Sequence, residues 1–307
     1  MLSMMLMCWN TSHLLARTLE TLKNQDISSW DWELLIIDDN SEDDVKGIIE
    51  KHGNGLPIKY HRLDHNMGMR GNTFSINYGI DNSVGDVLMW STPEVMLPPN
   101  ALSVAYNTAR GKKNFITIPS HGLTSEIQLK IDEVDWKGDI HNINKLLEKY
   151  PLDDWNQIWF NLNFYESGRK DIGGKKKFYG NNQTVAVDKS IWLTSIGKFP
   201  YYLDYGSDDP WISGKRKRAK YTDVTLWEQS AYHQWHTRCQ YWMALGKAPN
   251  WNKHGHTTSN LMNDPEVPKG GTCEMWDHGD RSNMSQSEIF SALQLAPLVE
   301  QTGFKEA

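Results

Sequence analysis

The chain has 307 residues, 39% hydrophobic and 23% charged, with a formal net charge of −6. That length supports one large α/β domain, or one domain with a C-terminal appendage, whose core needs no disulfides, and the composition argues against disorder over most of the chain. The acidic balance excludes a general nucleic-acid binder.

In chain order, Leu2 to Cys8 reads as a buried strand. The pattern Leu14, Leu15, Leu19, Leu22 then predicts an amphipathic helix, with Thr11 or Ser12 as its N-cap. Trp32 to Ile37 is a continuous apolar run of strand length, as expected of a parallel strand covered on both faces. The alternation continues with a helix from Asp43 to Lys51, a strand from Ile58 to Leu63, a helix from Arg70 to Asn82 and a strand from Asp86 to Trp90. Such units imply a parallel sheet with right-handed crossovers. Ligands bind at the carboxyl ends of such strands, and the polar residues there are Asn10, Asp38, Asp39, Thr92 and Glu94.

Further on, Asn100 to Arg110 reads as a helix and Asn114 to Pro119 as a strand. Residues 120–175 form a polar insertion with one helix, Ile143 to Tyr150. Thr184 to Val187 reads as a strand and Ser190 to Ile196 as a short helix. The Lys215 to Lys220 run is expected to form the solvated end of a helix beginning at Pro210. Beyond residue 240 the pattern supports only a helix from Ser285 to Val299.

The 14 tryptophans and 12 tyrosines suit either core packing or stacking on nucleotide and sugar faces. Cys8, Cys239 and Cys273 lack any CxxC spacing, which fits a reducing compartment and excludes a structural zinc knuckle. The apolar start has no basic flank, and no run of about eighteen apolar residues occurs; no membrane span and a cytoplasmic location are expected.

Four segments in order carry a resemblance. They are LSMMLMCWNTSHLLARTLETLKNQ with WELLIIDDNSED, HNMGMRGNTFSINYGIDNSVGDVLMWS, STPEVMLPPNAL, and GNNQTVAVDKSIWLTSIGKFPYYLDYGSDDPWISGKRKR. Together they resemble glycosyltransferase family 2, across roughly residues 1–238. The resemblance implies a GT-A fold: an α/β domain over 1–238, with a nucleotide-binding half at 1–99 and an acceptor half at 100–238. Residues 239–307 are then a C-terminal extension. It implies inverting transfer of a sugar from a nucleoside diphosphate sugar, a UDP sugar, to a carbohydrate or other hydroxyl acceptor.

Within that frame Asp39 is the uracil-contacting carboxylate, with Asn10 and Asp38 beside it. Arg70 faces the diphosphate, and Asn181 and Asn182 read sugar hydroxyls. The same Asp-Ser pattern also serves as a helix N-cap, and the Asn pair also suits a turn. Thr92-Pro93-Glu94 stands where relatives carry an Asp-x-Asp metal motif, so Glu94 remains the carboxylate for Mn²⁺ or Mg²⁺. His236 or His233 is the candidate distant ligand. Asp208-Asp209 matches the family's Glu-Asp motif, which makes Asp209 the general base and Asp208 its acidic neighbour. A doubled helix cap with Pro210 at the first helical position is the structural alternative. A nucleotidyltransferase would need a Gly-rich loop after the first strand, where Cys8-Trp9-Asn10-Thr11 has none. A non-catalytic sugar-binding module would explain the missing Asp at Thr92.

Overall fold

The computed structural model describes residues 1–26, 32–64, 71–123, 130–131, 133–143, 183–200 and 208–234. The amino half runs β1 (Leu2–Cys8), α1 (Ser12–Lys23), β2 (Trp32–Asp38), α2 (Val45–His52), β3 (Ile58–Arg62), α3 (Gly71–Asn82) and β4 (Val87–Ser91). There follow β5 (Val95–Met96), α4 (Ala101–Ala109), β6 (Asn114–Thr117) and β7 (Ser120–Gly122). After that come β8 (Val185–Asp188), α5 (Lys189–Ser195), α6 (Asp208–Arg218), β9 (Thr222–Thr225) and β10 (Ala231–His233).

Seven strands form one sheet in the order β3-β2-β1-β4-β8-β6-β9, and three form a second in the order β5-β10-β7. In the large sheet only β8 runs against its neighbours. All seven residues of β1 and of β2 are buried, which is why neither strand alternates in polarity. The strand period still sorts β1. Leu2, Met4 and Leu6 pack under α1 and α4, while Met5 and Met7 pack under α3, α5 and α6. Gly79 lets α3 sit close to the sheet, because a Cβ there would collide with Met5 Sδ and meet Ile37 Cδ1 at 2.8 Å.

Several local expectations need correcting. Helix α1 has no side-chain cap from Thr11; instead the Asp43 carboxylate accepts from Ser12 N–H at 2.7 Å. Helix α6 begins at Asp208, so both aspartates lie in its first turn and Pro210 is the third helical residue. Arg216 is not solvated: it is 4% exposed, over the Phe115 ring at 4.4 Å and 3.2 Å from Asp223. The expected helices from Ile143 to Tyr150 and Ser285 to Val299 lie outside the described residues, apart from Ile143 closing a 3-10 turn.

The connectivity also makes a crevice. The chain moves outward from β1 to β2 to β3, then returns across β1 to place β4 on its other side. The crossovers on the two sides of β1 diverge at its carboxyl end, the position where open α/β sheets hold ligands.

Candidate active site

Asp38, the last residue of β2, is fully buried and fully engaged. Its carboxylate accepts from Ser41 N–H at 2.8 Å, the Tyr60 hydroxyl at 2.6 Å and the Arg62 guanidinium at 3.1 Å. Arg62 also donates to Asn40 Oδ1 at 3.0 Å and to the Ser41 carbonyl at 2.7 Å. Burial, followed by the bond to Asp38, pushes the Tyr60 phenol up to about 12. Asn40 is held at φ 53°, a left-handed conformation that asparagine tolerates. Asp39, 4% exposed, follows directly, its N–H donating to the Cys8 carbonyl at 2.8 Å.

Asn10, also left-handed at φ 50°, ties the loop after β1 to this one. Its N–H donates to Ser41 Oγ at 3.0 Å, and its Oδ1 accepts from Glu42 N–H at 2.8 Å. The side chains of Asn10 and Asp38 therefore build the loop that presents Asp39. Trp9, between Cys8 and Asn10, is 38% exposed. Sequence reasoning passed it over, since an aromatic after an apolar strand reads as core. Its signal was its place: the first residue past β1 at the point where the crossovers diverge.

On the other side of β1, Thr92 to Val95 form a turn closed by Val95 N–H to the Thr92 carbonyl at 3.1 Å, with Pro93 at its second position. The Thr92 hydroxyl accepts from Gln183 Nε2 at 3.1 Å. The Pro93 carbonyl accepts from Thr18 Oγ1 at 2.6 Å and from Gln234 Nε2 at 3.0 Å. Gln234, wholly buried, also donates to the Leu14 carbonyl, and its N–H reaches the Glu94 carbonyl at 2.7 Å. Nothing local in the sequence marked Gln234, because its side-chain acceptors Pro93 and Leu14 lie 141 and 220 positions away.

Glu94 differs from its neighbours. Its Oε2 is buried with no hydrogen-bond partner among the described residues. A desolvated carboxylate oxygen is costly unless a cation or a donor meets it. Cys8 registers the local field: burial, then the charges of Asp38, Glu94 and Asp43, push its thiol well above the usual range. These acidic residues, with a hard carboxylate oxygen among them, fit a divalent cation, which Glu94 would help to hold. No group of three or more His, Cys, Asp or Glu side chains among the described residues could hold a metal by itself.

His233 ends β10 opposite Val95 and is buried. The crevice thus brings together Trp9, Asn10, Asp38, Asp39, Thr92 and Glu94. Asp208 and Asp209 stand in the first turn of α6, where the helix dipole favours carboxylates. Arg70, Asn181, Asn182 and His236 lie outside the described residues.

A family model described as Glycosyl transferase family 2 matches residues 3–151. Just under half of the chain thus matches that family. It is similar to the poly(ribitol-phosphate) beta-N-acetylglucosaminyltransferase TarP of Staphylococcus aureus, 25% identical over 177 residues that make up 57% of this chain and 50% of TarP. The chain thus spans about half the length of that curated relative. The crystal structure of S. aureus TarS 1-349 in complex with UDP superposes with a TM-score of 0.53 at 14% identity, covering 80% of this chain and 63% of that one. The mannosyltransferase PcManGT from Pyrobaculum calidifontis, in complex with GDP-Man and Mn²⁺, also gives 0.53 at 12% identity, covering 99% and 76%. These likenesses establish the GT-A fold of the family 2 domain, whose crevice is the one between β1 and β4.

Proposed function

We propose that the chain is a glycosyltransferase that moves a sugar, with inversion, from a UDP sugar to the hydroxyl of a carbohydrate or similar acceptor. The observation that carries this reading is the crevice after β1, where an exposed aromatic, a buried aspartate and a buried Glu94 oxygen without a hydrogen-bond partner among the described residues stand at neighbouring strand ends. The transfer named for TarP and the nucleotides held by TarS and PcManGT support it.

Trp9 offers a stacking face to the base, and Asp39 accepts from the base imino N–H or the ribose hydroxyls. Arg70 meets the diphosphate ahead of α3, and Asn181 and Asn182 read the sugar hydroxyls. Glu94, with His236, would hold a divalent cation, which when bound neutralises the diphosphate. Asp209 takes the acceptor's hydroxyl proton as that oxygen attacks the anomeric carbon; the nucleoside diphosphate leaves with the electrons of the broken bond. Asp208, a like charge beside it, raises the basicity of the pair. The buried free thiol of Cys8 supports a reducing, cytoplasmic setting.

The bond between Thr92 and Gln183, where a carboxylate would serve a metal, favours a second reading: a binding module without turnover. Asp209→Asn separates the two. Sugar transfer by the wild type, cut about 10²–10⁴-fold in kcat with donor affinity within a few-fold, is the expected result. Donor binding without transfer in the wild type supports the module instead, and unchanged kcat in the variant removes Asp209 from its role.

A further inference from the structure

The edge of the sheet opposite the crevice is where the strands begin, and it has its own chemistry. Residues 84–86 lead into β4, Gly111 to Lys113 into β6, and Lys220 and Tyr221 into β9, while β8 ends there at Asp188. Lys112, Lys113, Lys217, Arg218 and Lys220 are all exposed, and none forms an ion pair among the described residues. Lys113 lies over the Tyr221 ring at 5.6 Å, which brings the turn before β6 against the end of α6.

The carboxylates of this edge are already matched. Asp86 pairs with Arg110 at 3.0 Å, Asp223 with Arg216 at 3.2 Å and Asp81 with Lys198 at 2.5 Å. Asp188 caps α5 through Ile191 N–H and also accepts from Gly111 N–H. The result is a concentrated positive face on a chain whose formal net charge is −6.

Two of the three large hydrophobic side chains exposed among the described residues lie at the same edge: Val84, 66% exposed, and Leu193, 38%. Lys189 of α5 donates to the Ser83 carbonyl and hydroxyl, next to Val84. Leu193 sits one turn further along α5, and Ser195 then bonds the Tyr221 hydroxyl at 3.0 Å. Apolar side chains standing among unpaired cations are what a peripheral membrane surface requires: the cations meet anionic headgroups while the apolar tips enter the acyl boundary.

We propose that the strand-start edge docks on an anionic phospholipid bilayer. Among the described residues no helix is long and apolar enough to cross a membrane; the contact is a surface one. With strands of five to seven residues, docking this way holds the crevice about 17–23 Å from the edge that meets the lipid, open to a soluble donor.

The test is sedimentation of the full chain with phosphatidylcholine vesicles containing about one third phosphatidylglycerol, compared with pure phosphatidylcholine. Binding to the anionic vesicles alone, lost in about 0.5 M salt, is expected. The combined K217E, R218E and K220E variant should lower the partition coefficient at least about 100-fold. K112Q with K113Q, on a different element, should lower it about tenfold, and Val84→Ser with Leu193→Ser several-fold, all with unchanged melting temperature. Equal binding to neutral vesicles, or charge variants that bind as the wild type does, overturns the proposal. So does full competition by soluble polyphosphate combined with no effect of the apolar substitutions, which would mark the face as a site for a dissolved polyanion.

Discussion

The loop after β2 and the turn after β4 flank the end of β1 from opposite sides, and they treat their carboxylates differently. Asp38 is surrounded by three donors, one from its own loop and two from β3, so its charge is matched before any ligand arrives. Glu94 is held through its backbone, by Gln234, while its Oε2 stays desolvated and unmatched. One loop is a finished scaffold, stabilised by its own network; the other stores an electrostatic deficit that a ligand's counter-charge would relieve. Sites that are destabilised when empty are pre-organised when filled.

The sharpest way to break this comparison is Asp38→Ala. Three donors lose their acceptor, and the loss in unfolding free energy should be about 3 kcal/mol, moderated because Arg62 stays half exposed and can rehydrate. Denaturant unfolding checks it; a loss below about 1 kcal/mol would mean that the network is ornamental. Glu94→Gln should do the opposite. Stability should hold or rise, while UDP affinity measured with Mn²⁺ should fall about 30-fold, the loss of a charged contact of about 2 kcal/mol. Chelation should weaken donor binding by the wild type and leave the variant unchanged, and Mn²⁺ should restore the wild type better than Ca²⁺. Full binding in chelator would show that cationic side chains such as Arg70 have taken over the phosphates.

Smaller effects sharpen the same contrast. Trp9→Ala should weaken UDP by about 1.5 kcal/mol, read by calorimetry, with the fold unchanged because the ring joins no core cluster among the described residues. A stability loss without an affinity loss would make Trp9 a structural residue. Arg62→Ala should cost less than about 1 kcal/mol of stability, since half-exposed ion pairs are screened. Its mark should be a few-fold rise in donor KM at constant kcat, because Asn40 and Ser41 lose their tether; Arg62→Lys should restore part of it.

The parts of the fold legible in the sequence were those that local physics determines. Strand β1 spans the expected Leu2 to Cys8, and Trp32 to Ile37 lies within β2, because a strand covered on both faces must be continuously apolar. The polar crevice residues, though not Trp9, followed from strand ends, and the GT-A architecture from the order of four motifs. Long-range partners were not legible. Asp43 capping α1, Arg216 buried against Phe115, and Gln234 locking the Pro93 turn each depend on contacts that no local pattern encodes. The resemblance singled out Asp39 for the base, but no local pattern gave Asp38 a separate role. Both are acidic and both are buried, and only Tyr60 and Arg62, brought alongside by β3, assign the first to the scaffold.

The most direct test of the central claim, that the carboxyl ends of β1, β2 and β4 bind a nucleoside diphosphate, is calorimetric titration of UDP with Mn²⁺ into the wild type and Asp39→Ala. Saturable one-site binding, weakened in the variant by about 1–3 kcal/mol, is the expected result. An identical dissociation constant for the two proteins, or no binding of UDP by the wild type, would contradict it.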